Sequence, residues 1–376
     1  MRGKTVVVAA LGAVLVLPAG SAARTYQSSV GDPAPPPDTA PAGTALNAFF
    51  PKTIKVRKGD RIRYTSQAFL PHTASVLGKG AGPQPVAIPD PAGATIQGVN
   101  DPTGKPFFFN GQSKWIYNPS VWAPVGDRNV NDRRTHSSGA MFPAPGQTGP
   151  PRYQMKFSRV GKYRVFCLIH PGMQQKVRVL KKQAKGADRP AQVRNRIVRQ
   201  AAKLYGAANE AAGDTVAANQ VYAGVERRQA TLLAFKPASL TVPVGTTVKF
   251  ANASPSEVHQ MVFVGSPVGT NKWTATDYTD VFAQQQDLVP IGANAANQFP
   301  PPFIFGSEPR APGAPFVYSG QNYGNGFLWT PLLDDQPGDP PNGLPGEDSI
   351  TFSRAGTYHY FCGIHGKTMA GDIVVQ

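Results

Sequence analysis

The chain has 376 residues, a length that fits two ordinary domains plus connectors. Glycine (39) and proline (38) fill about a fifth of it against roughly an eighth in average proteins, while 41% of residues are hydrophobic. That balance argues for strands joined by long turns over a disordered polymer. The net charge of +16 comes without aromatics interleaved among the basic residues, which argues against a nucleic-acid binder.

The N-terminus opens Met1-Arg2-Gly3-Lys4, continues in an apolar run from Val6 to Leu17, and then reads Pro18-Ala19-Gly20-Ser21-Ala22-Ala23. A basic start, a short apolar core and small residues at a cut site predict a signal peptide over 1–23. The apolar run is too short to span a bilayer, which takes about 20 residues. No later stretch is longer, so the expectation is a secreted, periplasmic or cell-envelope protein with no transmembrane segment after cleavage. Residues 24–44, with Pro33-Ala34-Pro35-Pro36-Pro37, are predicted to be a flexible leader.

From there the chain repeats itself. Phe49-Phe50-Pro51-Lys52-Thr53-Ile54-Lys55-Val56-Arg57-Lys58-Gly59-Asp60-Arg61-Ile62-Arg63-Tyr64 matches, without a gap, the stretch from Phe235 through Gly245 to Phe250. Both copies alternate apolar and polar residues around a glycine, the pattern of two half-buried strands and a turn. The stretch Phe157 to Cys167 matches Phe352 to Cys362 in the same way. The expectation is a duplicated domain, 45–182 and 229–376.

Residues 183–228 are predicted to be a basic helical linker. Val193, Ile197, Ala201, Leu204, Tyr205 and Ala208 fall on one helical face between Pro190 and Gly213, the start and stop signals of a helix. Lys176, Arg178, Lys181, Lys182, Lys185, Arg189, Arg194, Arg196, Arg199 and Lys203 stand against Asp188 alone, a solvated face or a surface for an acidic redox partner. Each repeat also carries a long middle rich in proline, glycine and aromatics. In these, Phe109-Asn110-Gly111-Gln112 with Trp122-Ala123-Pro124 echoes Tyr318-Ser319-Gly320-Gln321 with Trp329-Thr330-Pro331. They are a packed flap or a binding element.

Two cysteines, Cys167 and Cys362, occupy the same position of the repeat, which disfavours a disulfide between them. Each opens a short run, Cys167-Leu168-Ile169-His170-Pro171-Gly172-Met173 and Cys362-Gly363-Ile364-His365-Gly366-Lys367-Thr368-Met369. Each run has a histidine far upstream, His72 and His259. Two imidazoles and a thiolate in one plane with a weak methionine form a type-1 copper site. The predicted ligands are therefore His72, Cys167, His170 and Met173 in the first half and His259, Cys362, His365 and Met369 in the second, about two coppers per chain.

At these residues the chain resembles the cupredoxin family, particularly plastocyanin and amicyanin. Phe69-Leu70-Pro71-His72 is similar to the plastocyanin segment that bears the first ligand, and the loop from Cys167 to Met173 is similar to the short amicyanin ligand loop. The resemblance covers roughly 45–80, 152–180, 231–265 and 349–376. It implies an all-β chain of two tandem Greek-key sandwiches joined by a short helical linker, and one-electron transfer to a redox partner protein. A copper-delivery protein of the cell envelope is the alternative. A two-domain copper oxidoreductase is disfavoured: no His-x-His pair occurs, and only His136 and His359, both expected at the surface, are left over. The expectation is a protein that is not an enzyme.

Overall fold

Apolar residues alternating with polar ones, rich in Val, Ile, Tyr and Phe, make strands with one face in a core and one in water. The burial follows that alternation strand by strand, as in Thr53–Arg57 and Gln174–Leu180. The computed structural model of the chain describes residues 22–68, 70–95, 115–131, 133–141, 149–263, 316–320, 328–335 and 344–376. Residues 1–21 of the expected signal peptide, Phe69 of the ligand motif, and residues 109–112 and 321 of the echoed middles lie outside these.

The first half contains strands β1 (Thr25–Val30), β2 (Thr44–Leu46), β3 (Phe49–Phe50), β4 (Thr53–Arg57), β5 (Arg61–Thr65), β6 (Ser75–Val76), β7 (Ala87–Pro89) and β8 (Trp115–Tyr117). After the one-turn helix α1 (Pro119–Trp122) come β9 (Asn129–Val130), β10 (His136–Ser137), β11 (Arg152–Phe157), β12 (Gly161–Phe166) and β13 (Gln174–Leu180). Helix α2 (Pro190–Ala212) leads into the second half. There follow β14 (Gln220–Arg227), β15 (Ala230–Lys236), β16 (Ser239–Val242), β17 (Thr247–Ala253) and β18 (Met261–Phe263). The chain ends with β19 (Phe316–Tyr318), β20 (Leu328–Trp329), β21 (Glu347–Phe352), β22 (Gly356–Cys362) and β23 (Gly366–Val375).

These strands form two β-sandwiches. In the first, the sheet β3-β1-β5-β11-β9 packs on the sheet β10-β6-β12-β13-β4 around Tyr26, Ile62, Tyr64, Met155, Phe157, Val165 and Val177. In the second, β19-β21-β17-β14-β15-β2 packs on β16-β23-β22-β18-β20 around Phe235, Phe250, Phe263, Phe352, Tyr358 and Tyr360. The chain crosses between sheets from β4 to β5, from β5 to β6 and from β11 to β12, the crossing pattern of a Greek-key sandwich. The all-β class expected from the sequence, as two β-sandwiches with a helix between them, is what the chain adopts. The halves share their parallel pairings: β1 with β5, β4 with β13 and β9 with β11 in the first, β14 with β17, β16 with β23 and β19 with β21 in the second.

Two sequence boundaries are corrected. The stretch 24–44 is no flexible leader: β1 inserts beside β5 in the first sandwich, and β2 adds antiparallel to β15 at the edge of the second. The sequence of β1, Thr25-Tyr26-Gln27-Ser28-Ser29-Val30, hides this, because one of its three inward residues is Ser28, whose hydroxyl is spent on Phe50 O at 3.0 Å. The second sandwich likewise begins inside the expected linker 183–228, at β14 rather than at residue 229.

Helix α2 starts at Pro190, where Gln192 Oε1 accepts the Arg189 N–H at 2.9 Å, and ends before Gly213. Its inner face buries Ala201, Leu204, Tyr205 and Ala208 against Leu46, Ala48, Phe50 and Ala230, while Val193 enters the first core. The helix is thus packed on both sandwiches, and β2 staples them a second time. The outer face keeps Arg194, Arg199 and Lys203 exposed, with Arg196 paired to Asp188 at 2.5 Å. No helix among the described residues is long and apolar enough to cross a membrane.

Candidate metal centres

Both cysteines are free thiols and both are buried. Cys167 follows the last residue of β12, and the loop from it to β13 is closed by Cys167 N–H donating to Met173 O at 3.0 Å and Met173 N–H donating to His170 O at 3.3 Å. Cys167, His170 and Met173 line the same cavity. His72 comes from the segment between β5 and β6, which runs beside the end of β12, and its backbone is held in a bridge with Met141. In the second half Cys362 ends β22, the reversal at His365 leads into β23, and Met369 lies on β23. His259 is held in the equivalent bridge with Leu333.

The structure brings together His72, Cys167 and His170, and separately His259, Cys362 and His365, with one ligand atom of each within 4.8 Å of the others in either set. Cys167 Sγ lies 3.8 Å from His72 Nδ1 and 3.4 Å from His170 Nδ1. Cys362 Sγ lies 3.9 Å from His259 Nδ1 and 3.3 Å from His365 Nδ1. The paired imidazoles sit at nearly the same tilt in the two halves, 54° and 51°. Met173 and Met369 are buried in the same cores as their cysteines. At the first centre the Thr73 N–H also donates to Cys167 Sγ at 3.4 Å, and Thr73 Oγ1 accepts the Leu168 N–H at 2.8 Å.

Burial alone would raise both thiols, yet the adjacent histidines hold Cys167 and Cys362 well below the ordinary value. Burial would likewise lower the histidines. It does so for His72 and His259, whereas Glu257 and the thiolates more than reverse it and hold His170 and His365 at about 10. Each pocket therefore holds its thiol in the thiolate form beside a histidine.

Two glycines back these centres and were not read from the sequence. Gly31 at the end of β1 and Gly224 in β14 have φ of +76° and +70°. A Cβ added to either would lie 2.4 Å from His72 Nε2 or 2.2 Å from His259 Nε2. Only a residue without a side chain lets the backbone come that close to the ring. A register shift at Gly224 in the β14 pairings accompanies the approach.

A third missed residue is Glu257. It is buried between the domains, with Oε1 3.2 Å from His170 Nε2 and Oε2 3.6 Å from His365 Nε2. Asn47, beside β2, donates to Oε1 at 2.6 Å. The repeat held the signal: Glu257 stands two residues before His259, where the first half has Leu70 two before His72. The two loops interlock, since Leu70 packs into the core of the second sandwich. Beside them lies a cavity of about 340 Å³, reached by Trp115, Tyr117 and Trp122 from the first middle and by both His170 and His365.

The left-over histidines divide. His359 is exposed and paired with Asp372 at 2.5 Å, as its strand position suggested. His136, expected at the surface, is instead fully buried in β10, with Nδ1 2.7 Å from Asp127 O. Its polar neighbours in sequence misled because Ser137, beside it, is also buried and bonded to Ser75.

No family model matches the chain, and no curated protein matches it. Among solved structures it is similar to amicyanins. The reduced Cu(I) form of a proline-to-glycine variant at pH 4 is 19% identical over 44% of this chain and 89% of that one, with a TM-score of 0.22. A methionine-to-alanine variant in the Cu(I) form is 18% identical with the same coverage and the same TM-score.

Proposed function

We propose that this chain is an exported carrier of single electrons with two type-1 copper centres, one in each copy of a duplicated cupredoxin domain. The observation that carries the reading is the twice-built donor set. In each half a buried thiolate faces two imidazole Nδ1 atoms at 3.3 to 3.9 Å, held by backbone bridges and a closed loop. Soft sulfur with imidazole suits copper in both oxidation states, and a thioether from Met173 or Met369, each buried in the core of its own cysteine, is the residue type for the weak axial place. Copper bound there would supply a one-electron couple. The chain's own residues keep the thiolate deprotonated, exclude water, and hold the donors so that little must move when the charge changes.

The histidine inventory supports a carrier over an enzyme. Six histidines occur, all of them described, and four belong to the two centres. His136 and His359 lie on separate strands with partners of their own, which leaves no three-histidine set for a catalytic copper. Export rests on the N-terminal sequence, and the exposed basic face of α2 is the surface offered to an acidic redox partner. The test is to challenge the copper-loaded protein with a Cu(I) chelator and with a one-electron reductant. Fast reversible reduction with copper retained supports the carrier. Ready loss of Cu(I) to the chelator would mean delivery, and sustained turnover of dioxygen or nitrite would mean an enzyme.

A further inference from the structure

Glu257 is a carboxylate with almost no access to water, placed where the two sandwiches meet. A buried carboxylate costs several kcal/mol unless both of its oxygens find partners. Its partners come from three parts of the chain: Asn47 from beside β2, His170 from the first ligand loop and His365 from the second. Asn47 Nδ2 also reaches Ser256 Oγ at 2.9 Å and Thr231 Oγ1 at 3.3 Å, and Asn252 Nδ2 donates to Glu257 O at 2.8 Å. The carboxylate is therefore fixed from both sides.

Each of the two histidines turns Nδ1 to its own cysteine; His170 Nε2 then stands 3.2 Å from Oε1 of this carboxylate and His365 Nε2 3.6 Å from Oε2, a charge contact longer than a hydrogen bond. An imidazole that gives Nδ1 to a metal carries its remaining proton on Nε2, and an outer partner that accepts that proton fixes the ring. The ring nitrogens of the two centres thus face opposite oxygens of a single side chain, the first closely and the second across a longer charge contact.

We infer that Glu257 links the two centres, as a positioning residue that joins His170 to His365 and gives an electron a direct path from one domain to the other. The chain then works as one two-electron store in place of two separate carriers; this rests on the two-copper reading above. The step balances simply. Cu(I) in one domain gives one electron to Cu(II) in the other, no bond to the protein forms or breaks, and both protons stay on Nε2. Only contacts between neighbouring groups are crossed: imidazole, carboxylate, imidazole. A glutamate serving merely to close the interface would be needed for stability and would leave the exchange rate alone.

The test uses the full chain with Glu257→Leu, which installs the residue type of the first half, and the isosteric Glu257→Gln. The copper-loaded protein is reduced by less than one electron per chain in a pulse, and redistribution between the centres is followed by absorption. The wild type should show a phase independent of protein concentration. Glu257→Leu, with both coppers still bound, should slow that phase by about 10- to 100-fold, the scale of losing an outer partner of a ligand histidine; Glu257→Gln should slow it less. An unchanged rate in Glu257→Leu overturns the link.

A second arm needs no redox chemistry. In the zinc-loaded wild type, nitrogen-15 NMR should show two slowly exchanging Nε2–H signals, from His170 and His365, and Glu257→Leu should lose the protection of both. Persistence of both in that variant overturns the link. A chain that takes up zinc with the protected signals but forms no blue copper centre would instead sink the copper reading.

Discussion

Replacing Gly224 by alanine should remove the second centre while sparing the first. The backbone there has φ of +70°, where a residue with a side chain costs roughly 1–2 kcal/mol, and the new Cβ would stand 2.2 Å from His259 Nε2, 2.8 Å from Cε1 and 3.0 Å from Cδ2. Ordinary contact begins near 3.4 Å, so the ring must retreat by roughly 1 Å, whereas metal–ligand distances hold to about 0.2 Å. Retreat carries Nδ1 away from its place 3.9 Å from Cys362 Sγ and opens the donor triangle. The assay is copper content per chain with the visible spectrum, the centre at Cys167 serving as internal reference. Gly245→Ala is the control, because Gly245 has φ of +82° with nothing within 4 Å of an added Cβ, so it bears the backbone penalty without the clash. Gly31→Ala should do to the first centre what Gly224→Ala does to the second. A Gly224→Ala protein that binds as much copper as the wild type with an unaltered spectrum would refute the reasoning.

Cys167→Ser and Cys362→Ser should each abolish one centre and leave the other, because neither half borrows the other's ligands. The surviving centres should titrate at different potentials, since two residues separate His170 from Met173 and three separate His365 from Met369, and Thr73 donates to Cys167. Loss of all copper from either variant would contradict this. Replacing Arg194, Arg199 and Lys203 by glutamine should flatten the salt dependence of association with an acidic electron-donor protein, exposed charges being screened over about 10 Å at 0.1 M; an unchanged salt profile would leave that face a merely solvated one. Asp32 gives a stability prediction. Burial raises its carboxyl to about 7 despite bonds from Leu46 and Tyr205, so the folded chain holds a proton that the unfolded chain releases near pH 4. Stability should therefore fall as pH rises from about 4 to about 7, by an upper bound of roughly 4 kcal/mol. In denaturant titrations at pH 5 and 8, Asp32→Asn should lose less stability between the two than the wild type; equal losses would contradict the assignment.

Much of this was legible before any coordinates, and the reason is chemical. A cysteine, a histidine three residues on and a methionine shortly after leave few uses at the end of a strand, and their recurrence in both halves pointed to the two clusters where the structure gathers a cysteine and two histidines. The strands around Ile54 and Val248 were legible because one face of each is apolar and buried. What escaped was whatever depends on partners distant in sequence. Ser28 looks like a leader residue until Phe50 O and Gln175 Nε2 are beside it, and β2 has only Thr44-Ala45-Leu46 to announce it until β15 supplies its ladder. Gly224 is one glycine among 39 until His259 is laid against it. Glu257 was readable only as a break in the repeat opposite Leu70, and its meaning came from two histidines that lie far apart in the chain and meet at the domain interface.

The most direct test of the central claim is to load the purified chain with Cu(II), remove loosely bound metal, and record metal content, visible absorption and electron paramagnetic resonance on the same sample. Two coppers per chain are predicted, both with the intense thiolate-to-copper absorption and the narrow hyperfine splitting of a type-1 centre. A colourless protein, or one that takes up copper at a single centre while both thiols are intact, would contradict the account.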